Sequence, residues 1–262
     1  MRRVLTSTAG DFDYDLHGSG YAQQRRADPR IAAWIHDALG DAQTVLNVGA
    51  GAGSYEPCDR YVLAIEPSRA MRAQRPRDAA PAIAAIAEDL PLDDGTFDAS
   101  MATVTIHQWR DASKGLHELL RVSRGAIVIL TFEGKALERY WLFDYAPELI
   151  AAESRRYASL VTLRSILELN NRQVTISNVP VPIDCTDGII EAYYARPERL
   201  LDPAVRRAQS SWAFVSDEVQ ARSMRHLADD LDSGAWDERY GTLRGQLSYN
   251  GALRLIVSKP TE

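Results

Sequence analysis

Three glycines alternate with other residues directly after a short apolar segment. They are Gly49, Gly51 and Gly53, and the apolar segment is 44–48. The Val- and Leu-rich segment favours a buried strand, and glycines let the backbone turn sharply and admit a ligand closely, because they carry no Cβ. The next apolar segment, 61–65, ends before Glu66. In doubly wound α/β folds, a glycine-rich turn and a carboxylate after the next strand bind a ribose, so the pair predicts a nucleoside-type ligand.

The spacing after the glycines separates two such ligands. A dinucleotide site uses Gly-x-Gly-x-x-Gly/Ala, so that a full helix packs closely and directs its N-terminus at the pyrophosphate. Ser54 occupies the third position of that pattern, and only 54–60, with Pro57, separate Gly53 from the next strand. That segment is short against the roughly 10–12 residues of a parallel crossover. S-adenosylmethionine needs no pyrophosphate site, and the spacing favours it over NAD; a glycine turn without a ligand is the remaining possibility.

Four segments resemble motifs of the class I S-adenosylmethionine-dependent methyltransferases, in particular the type 11 methyltransferase domain. Segment 45–57 resembles the glycine motif, and 65–68 is similar to the acidic end of the ribose-binding strand. Segment 87–98 resembles the third motif, and 106–111 resembles the His-His-Trp-x-Asp segment. The four motifs occur in the family's order.

Together the patterns and the resemblance imply an α/β fold, a doubly wound Rossmann-like sheet of about seven strands with helical cap insertions. We predict helices over 113–123 and, without interruption, over 148–168, and a short third strand at 83–86. The expected organisation is N-terminal lid helices at 1–40, a cofactor-binding core at 41–132, a helical cap over the substrate pocket at 133–172 and 184–246, and closing strands of the core sheet at 173–183 and 247–262.

The composition of the chain limits the kinds of ligand and partner that it can bind. The chain has 262 residues, 25% of them charged, and a net charge of −6, which fits a globular protein and disfavours a nucleic-acid ligand. Its two cysteines are too few for a disulfide framework or a zinc site, and Asp184, Cys185 and Asp187 lack a histidine at ligand spacing. We predict a cytoplasmic protein without a metal site, signal peptide or membrane span, monomeric or homodimeric, whose partner is a small-molecule methyl acceptor.

The resemblance assigns cofactor contacts residue by residue. In the lid, Tyr14, Tyr21 and Arg25 are similar to residues that close over the cofactor and bind its carboxylate; the alternative is a helix with solvated arginines. Glu66 is expected to accept hydrogen bonds from both ribose hydroxyls, with Met71 over the ribose or adenine or, alternatively, in the core. The complete set of expected contacts is Tyr14, Tyr21, Arg25, Asn47, Gly49, Ala50, Gly51, Gly53, Glu66, Pro67, Met71, Ala87, Glu88, Thr103 and His107.

Two positions depart from the commonest family pattern. Asn47 stands where an aspartate is usual, which retains a hydrogen-bonding oxygen but removes the charge. Ile86 stands where many relatives carry the aspartate that accepts from the adenine amino group, so Ala87 and Glu88, with Asp89 after them, become the candidates. Thr103, at the end of the fourth strand, is expected to face the methionine portion of the cofactor.

His107 follows the fourth strand and is the single candidate catalytic residue. A histidine there can accept a proton from a substrate hydroxyl, or it can form part of the pocket wall. Aromatic side chains of the cap are the candidate substrate contacts, although packing explains such clusters equally well: Tyr140, Trp141, Tyr145, Tyr193 and Trp212.

The sequence therefore predicts methyl transfer from S-adenosylmethionine to a small organic molecule, achieved mainly by alignment in an enclosed pocket. Three alternatives stay open at this point. They are another reaction of the same cofactor, a non-catalytic binder of it and, less favoured, an NAD-dependent oxidoreductase.

Overall fold

A seven-stranded, mostly parallel sheet forms the centre of the molecule. The computed structural model describes residues 10–18 and 21–261. The strands are β1 Thr44–Val48, β2 Tyr61–Ile65, β3 Ala82–Ile83, β4 Ala99–Thr103, β5 Ile127–Phe132, β6 Arg172–Asn178, β7 Val181–Pro182, β8 Ser248–Tyr249 and β9 Leu253–Pro260. Their order in the large sheet is β3-β2-β1-β4-β5-β9-β6, with β9 antiparallel to both neighbours. The predicted doubly wound α/β fold is confirmed.

Helices cover both faces of this sheet. They are α1 Tyr14–His17, α2 Tyr21–Gln24, α3 Pro29–Leu39, α4 Arg69–Ala73, α5 Ala112–Val122, α6 Leu142–Tyr145, α7 Pro147–Arg156, α8 Leu160–Leu167, α9 Pro203–Arg207, α10 Asp217–Ser233 and α11 Ala235–Tyr240. Helix α3 shows why these elements form: Asp28 caps it by accepting from Arg30 N at 3.0 Å, Pro29 begins it, and one face is fully buried.

The strand order creates the crevice in which a ligand can bind. From β1 the chain first moves outward to β2 and β3, then crosses back to place β4 on the other side of β1. The turns after β1 and β4 therefore diverge at the carboxyl edge of the sheet, which is where open α/β sheets bind ligands.

The prediction of an unbroken helix over 148–168 is wrong. It is interrupted at Tyr157, which is extended, and α8 then restarts at a new cap where Ser159 Oγ accepts from Thr162 N at 3.1 Å. A serine that satisfies the free N–H groups of a new helix makes this break stable. The third strand also covers only Ala82–Ile83, and the small sheet of β7 and β8 was not predicted.

The predicted cap residues form a buried aromatic core. Trp141 packs edge-on against Tyr145 and Trp236, with ring centroids 5.8 and 5.5 Å apart, and its Nε1 donates to Tyr194 O at 3.1 Å. Edge-to-face pairs of this kind add to the stabilisation from burial.

Candidate functional site

A cavity of about 460 Å³ lies at the carboxyl edge of the sheet. Its floor consists of the turns after β1 and β4 and the end of β2, and one side is α4 with the turn after β3. The remaining wall is formed by 12–16, Tyr21 and Arg25, which belong to the predicted lid. This volume lies within the usual range for small-molecule and cofactor sites.

The glycine turn is shaped by its contacts with neighbouring strands. Gly49 has φ +71°, and a Cβ there would lie 2.0 Å from Thr105 Oγ1. The N–H groups of Gly49 and Ala50 both donate to Ile65 O, at 2.9 and 3.0 Å. Gly51, at φ +53°, directs its N–H at the Glu66 carboxylate. The turn needs glycine both for its backbone angles and for its close approach to Thr105 in the turn after β4.

Glu66 is held with both oxygens in fixed positions. Its Oε2 accepts from Gly51 N at 2.7 Å and its Oε1 from Ser68 N at 2.8 Å. Burial raises the pKa of Glu66, and these two hydrogen bonds oppose that rise. A carboxylate can accept about four hydrogen bonds, so each oxygen keeps capacity for one ribose hydroxyl.

The lid is fastened to α4 by side chains that also line the cavity or adjoin it. Asp15 Oδ1 accepts from Ser68 Oγ at 2.6 Å and from Ala70 N at 2.8 Å. Gln74 Nε2 donates to Gly18 O at 2.9 Å. These contacts place the predicted lid residues Tyr14, Tyr21 and Arg25 on the cavity wall.

A buried ion pair joins the lid to the cap. Arg25 Nε donates to Asp187 Oδ1 at 2.5 Å, and Asp187 Oδ2 accepts from Tyr55 OH at 2.8 Å. Burial by itself lowers the pKa of Arg25, but the adjacent Asp187 charge outweighs it and raises the pKa well above its usual value. Asp187 thereby holds the Arg25 guanidinium at the cavity, where it can bind a carboxylate.

Most of the predicted cofactor contacts line this cavity. They are Tyr14, Tyr21, Arg25, Gly49, Ala50, Gly51, Glu66, Pro67, Met71, Ala87 and Thr103. On the side expected for the adenine, the wall is formed by the neighbouring residues 85–87 rather than by a carboxylate.

Three other predicted contacts, Asn47, Gly53 and Glu88, do not line the cavity. Asn47 Nδ2 donates to Glu56 Oε1 at 3.0 Å, and Glu56 forms a buried ion pair with Arg75 at 2.8 Å. Gly53 adjoins this pair, since a Cβ on it would be 3.2 Å from Arg75 Nη1. Glu88 accepts from Asp111 N at 3.1 Å, which anchors the start of α5. All three stabilise the elements that carry the cavity instead of lining it.

A second, much smaller cavity of about 30 Å³ adjoins the first. Tyr14, Arg25 and Val104 line both cavities and form the partition between them. His107 lines only the small one, so its predicted contact with the cofactor cavity is absent. Burial lowers the pKa of His107 well below its usual value, and the charges of Arg156 and Arg25 lower it further. His107 is therefore neutral at physiological pH.

None of the five predicted substrate residues lines either cavity. All are at most 5% exposed and belong to the aromatic core of the cap: Tyr140, Trp141, Tyr145, Tyr193 and Trp212. Their aromatic side chains serve packing, which is the alternative that the sequence left open.

Several wall residues were missed by the sequence analysis. Tyr55 and Val104 have positive φ values, +66° and +50°, that are unusual for their residue types. Tyr55 lies within the glycine motif and Gln108 follows His107, so position within a motif was the available signal. Asp187 was considered only as a metal ligand; in the described part of the chain, no three His, Cys, Asp or Glu side chains form a group that could hold a metal ion.

Comparison with known proteins agrees with this geometry. The family described as a methyltransferase domain matches residues 46–130. A solved structure from Anabaena variabilis ATCC 29413, proposed to be a methyltransferase of an antibiotic biosynthesis pathway, superposes with a TM-score of 0.84 at 30% identity, over 90% of this chain and 99% of that one. The chain belongs to the S-adenosylmethionine-dependent methyltransferases. Its cofactor is S-adenosylmethionine.

Other methyltransferases show more partial similarity. The ubiquinone/menaquinone biosynthesis C-methyltransferase UbiE of Citrifermentans bemidjiense is 36% identical over 95 residues, which span 33% of this chain and 40% of that protein. The geranyl diphosphate C-methyltransferase of Streptomyces coelicolor A3(2) is 16% identical, covers 88% of this chain and 78% of that one, and with a TM-score of 0.52 shares the fold. Within residues 10–18 and 21–261, no helix has the length and hydropathy of a transmembrane span.

Proposed function

We propose that this methyltransferase transfers the methyl group of S-adenosylmethionine to a small organic molecule, a metabolite or a natural-product intermediate. The observation that carries this proposal is the 460 Å³ cavity, where Glu66 is held by Gly51 N and Arg25 by Asp187. A concave site of this volume suits a small acceptor better than a macromolecule. The Anabaena variabilis relative, proposed for an antibiotic pathway and matched over 99% of its length, supports the same substrate class.

The residues of this chain contribute alignment and exclusion of water. The cofactor supplies an activated methyl group, whose transfer is an in-line displacement that depends on how closely donor and acceptor are held. Glu66 fixes the ribose end, and Arg25, held by Asp187, fixes the carboxylate end. The partition of Tyr14, Arg25 and Val104 lies between this cavity and His107.

Calorimetric titration tests the cofactor assignment. S-adenosylmethionine, S-adenosylhomocysteine and NAD are titrated into the wild type, Glu66→Ala and the surface variant Glu168→Ala. The half-exposed Glu168 carboxylate pairs with Arg164 on α8. We expect both sulfur nucleosides to bind, with at least a tenfold loss for Glu66→Ala, about 1.4 kcal/mol, and no loss for Glu168→Ala. Binding of NAD instead would contradict the proposal.

A second measurement separates methyl transfer from the alternatives. The wild type is incubated with S-adenosylmethionine and a library of small acceptors, and products are analysed by mass spectrometry. We expect a product heavier by one methyl group together with S-adenosylhomocysteine. Tight cofactor binding without turnover across the library indicates a non-catalytic binder, and substrate consumption without methyl gain indicates other chemistry.

A further inference from the structure

A buried ion pair adjoins the glycine turn. Arg75 Nη2 donates to both oxygens of Glu56, at 2.9 Å to Oε1 and 2.8 Å to Oε2, and the two side chains are only 6% and 8% exposed. The pair contacts the turn at Gly53, where a Cβ would lie 3.2 Å from Arg75 Nη1 and 3.4 Å from Glu56 Oε2. Neither charged residue lines either cavity, so the pair can act on a bound ligand only through the backbone that it supports.

Glu56 is also hydrogen-bonded to the interior of the sheet. Asn47 lies on β1, opposite Ala64 of β2 and Met101 of β4, and it is fully buried. Its Nδ2 donates to Glu56 Oε1 at 3.0 Å. The opposite orientation of the amide would direct its oxygen at an ionised carboxylate, which can only accept. Position 47 therefore needs a donor that faces Glu56.

The three side chains together form an electrically neutral cluster. The Arg75 guanidinium compensates the Glu56 carboxylate, and the Asn47 amide adds no charge. A buried charge without a partner is costly, and two adjacent carboxylates disfavour each other's ionised form. An acid at position 47 would stand where the amide now lies 3.0 Å from Glu56, and the Arg75 guanidinium would have to compensate two carboxylates. The asparagine is thus explained by the acid at position 56.

The cluster connects two walls of the first cavity. Glu56 directly follows Tyr55 of the glycine turn, which lines the cavity. Arg75 follows the end of α4, the helix that contributes Met71 to the opposite wall. Arg75 Nη2 also donates to Ala80 O at 2.7 Å, in the segment that leads into β3. The ion pair therefore fixes the distance between the glycine turn and α4.

We propose that Glu56 and Arg75 are positioning residues for the cofactor, and that their ion pair requires an uncharged amide at position 47. Glu66 depends on the same two walls, since it accepts from Gly51 N in the turn and from Ser68 N at the start of α4. A shift of the turn relative to α4 would separate these two donors and weaken the binding of the ribose. The inference rests on the cofactor site proposed above, but it holds whichever small molecule accepts the methyl group.

An exchange of charge between positions 47 and 56 tests the proposal by calorimetric titration with S-adenosylhomocysteine at about pH 8, where ordinary carboxyl groups are ionised. Asn47→Asp adds a carboxylate and Glu56→Gln removes one, so each single variant leaves one buried charge uncompensated. We expect each to bind about tenfold more weakly than the wild type. In the double variant the amide at position 56 can donate to the carboxylate at position 47 and accept from Arg75. We expect its affinity to return to within about threefold of the wild type.

Two results would overturn the positioning role. One is a wild-type affinity of Asn47→Asp, and the other is a double variant that binds no better than Asn47→Asp. If a single variant does not fold, the double variant remains decisive: recovery of folding and binding supports the exchange, and continued failure of either overturns it.

A control separates positioning from general stability. Glu133→Gln removes the carboxylate that pairs with the buried Arg254 guanidinium at 2.6 Å, and neither residue lines either cavity. We expect Glu133→Gln to lower the midpoint of urea unfolding, as the single variants do, but to leave the affinity for S-adenosylhomocysteine unchanged. An equal loss of affinity in this control would overturn the positioning role. Failure of the wild type to bind S-adenosylhomocysteine contradicts the proposed function itself, and it is seen before any variant is compared.

Discussion

The two cavities share a partition but are built in different ways. The first is formed largely by turns at the ends of neighbouring strands, within 49–109 apart from 12–16, Tyr21 and Arg25. The second is formed by side chains from separate parts of the chain, which only tertiary packing brings together: Tyr14, Arg25, Val104, His107, Phe132, Glu153, Tyr157, Ile189, Ile190, Gln209, Ser210 and Ser211. Motifs encode the first kind of site because its geometry is local. The second kind depends on which face of each cap element turns inward, and no local pattern specifies that.

The largest expected effect comes from a substitution in the glycine turn, which disturbs the backbone of the first cavity. Gly49→Ala adds a Cβ 2.0 Å from Thr105 Oγ1 at a positive φ, so both overpacking and backbone strain oppose folding. We expect a loss of about 4–5 kcal/mol in the free energy of unfolding. Gly40→Ala is the matched control, since Gly40 also has a positive φ, +58°, but open space at the Cβ position. Denaturant unfolding of both variants measures the difference; equal losses would show that strain alone, and not the contact with Thr105, requires glycine.

The next effect concerns both cavities, because Arg25 lines both. Asp187→Ala leaves Arg25 buried without its partner and removes the acceptor of Tyr55. Breaking a buried pair costs about 4 kcal/mol, and cofactor affinity should fall with it. Asp184→Ala, three residues away, removes an exposed partner of Arg30 and should leave both properties nearly unchanged.

Thermal unfolding and calorimetric titration compare the two aspartate variants. If Asp184→Ala lowered cofactor affinity as much as Asp187→Ala, the whole loop and not the Arg25 pair would position the lid.

The residues of the first cavity could be predicted from the sequence, because this cavity is built from local turns at strand ends and the second cavity is not. The glycine turn and Glu66 lie at strand ends whose position follows from a parallel sheet, so their residue types suffice to locate them. Asn47 shows the limit: it lies in the motif, yet its side chain turns away to Glu56. The cap aromatics were candidates for a pocket, but Tyr140 and Trp141 belong to the core. The second cavity is instead lined by a mixture of apolar and polar side chains, among them Tyr157, Glu153 and Gln209. Composition alone does not distinguish these uses.

The third effect is a pH dependence of the free energy of unfolding, caused by a buried carboxyl group next to the wall of the second cavity. Glu191 directly follows Ile189 and Ile190 of that wall, and burial raises its pKa to about 7, against the hydrogen bond from Ala252 N. Its stabilising contribution is full below the unfolded pKa of about 4.3 and is lost as the pH rises through about 7. This difference in pKa corresponds to a loss of about 3.7 kcal/mol. Glu191→Gln should remove this dependence.

Urea unfolding of the wild type, Glu191→Gln and the exposed control Glu238→Gln, in buffers from acidic to mildly alkaline pH, isolates the contribution of Glu191. Cofactor affinity should not change, because Glu191 lines neither cavity. A wild type and Glu191→Gln with the same pH profile would mean that Glu191 is ionised in the folded protein throughout.

The smallest effect tests how the lid closes the first cavity. The hydrogen bonds from Ala70 N and Ser68 Oγ lower the pKa of Asp15, so its contribution is present above the unfolded value and is lost as the pH falls through the lower folded one. Asp15→Asn keeps one accepting oxygen but not the charge, and we expect cofactor affinity to fall about threefold at neutral pH, with Asp93→Asn as an exposed control. Stopped-flow dissociation measures it: a faster release with unchanged association identifies Asp15 as a fastener of the closed lid. An unchanged release rate instead assigns closure to Gln74 and to the Arg25–Asp187 pair, and so to the side of the lid that the two cavities share.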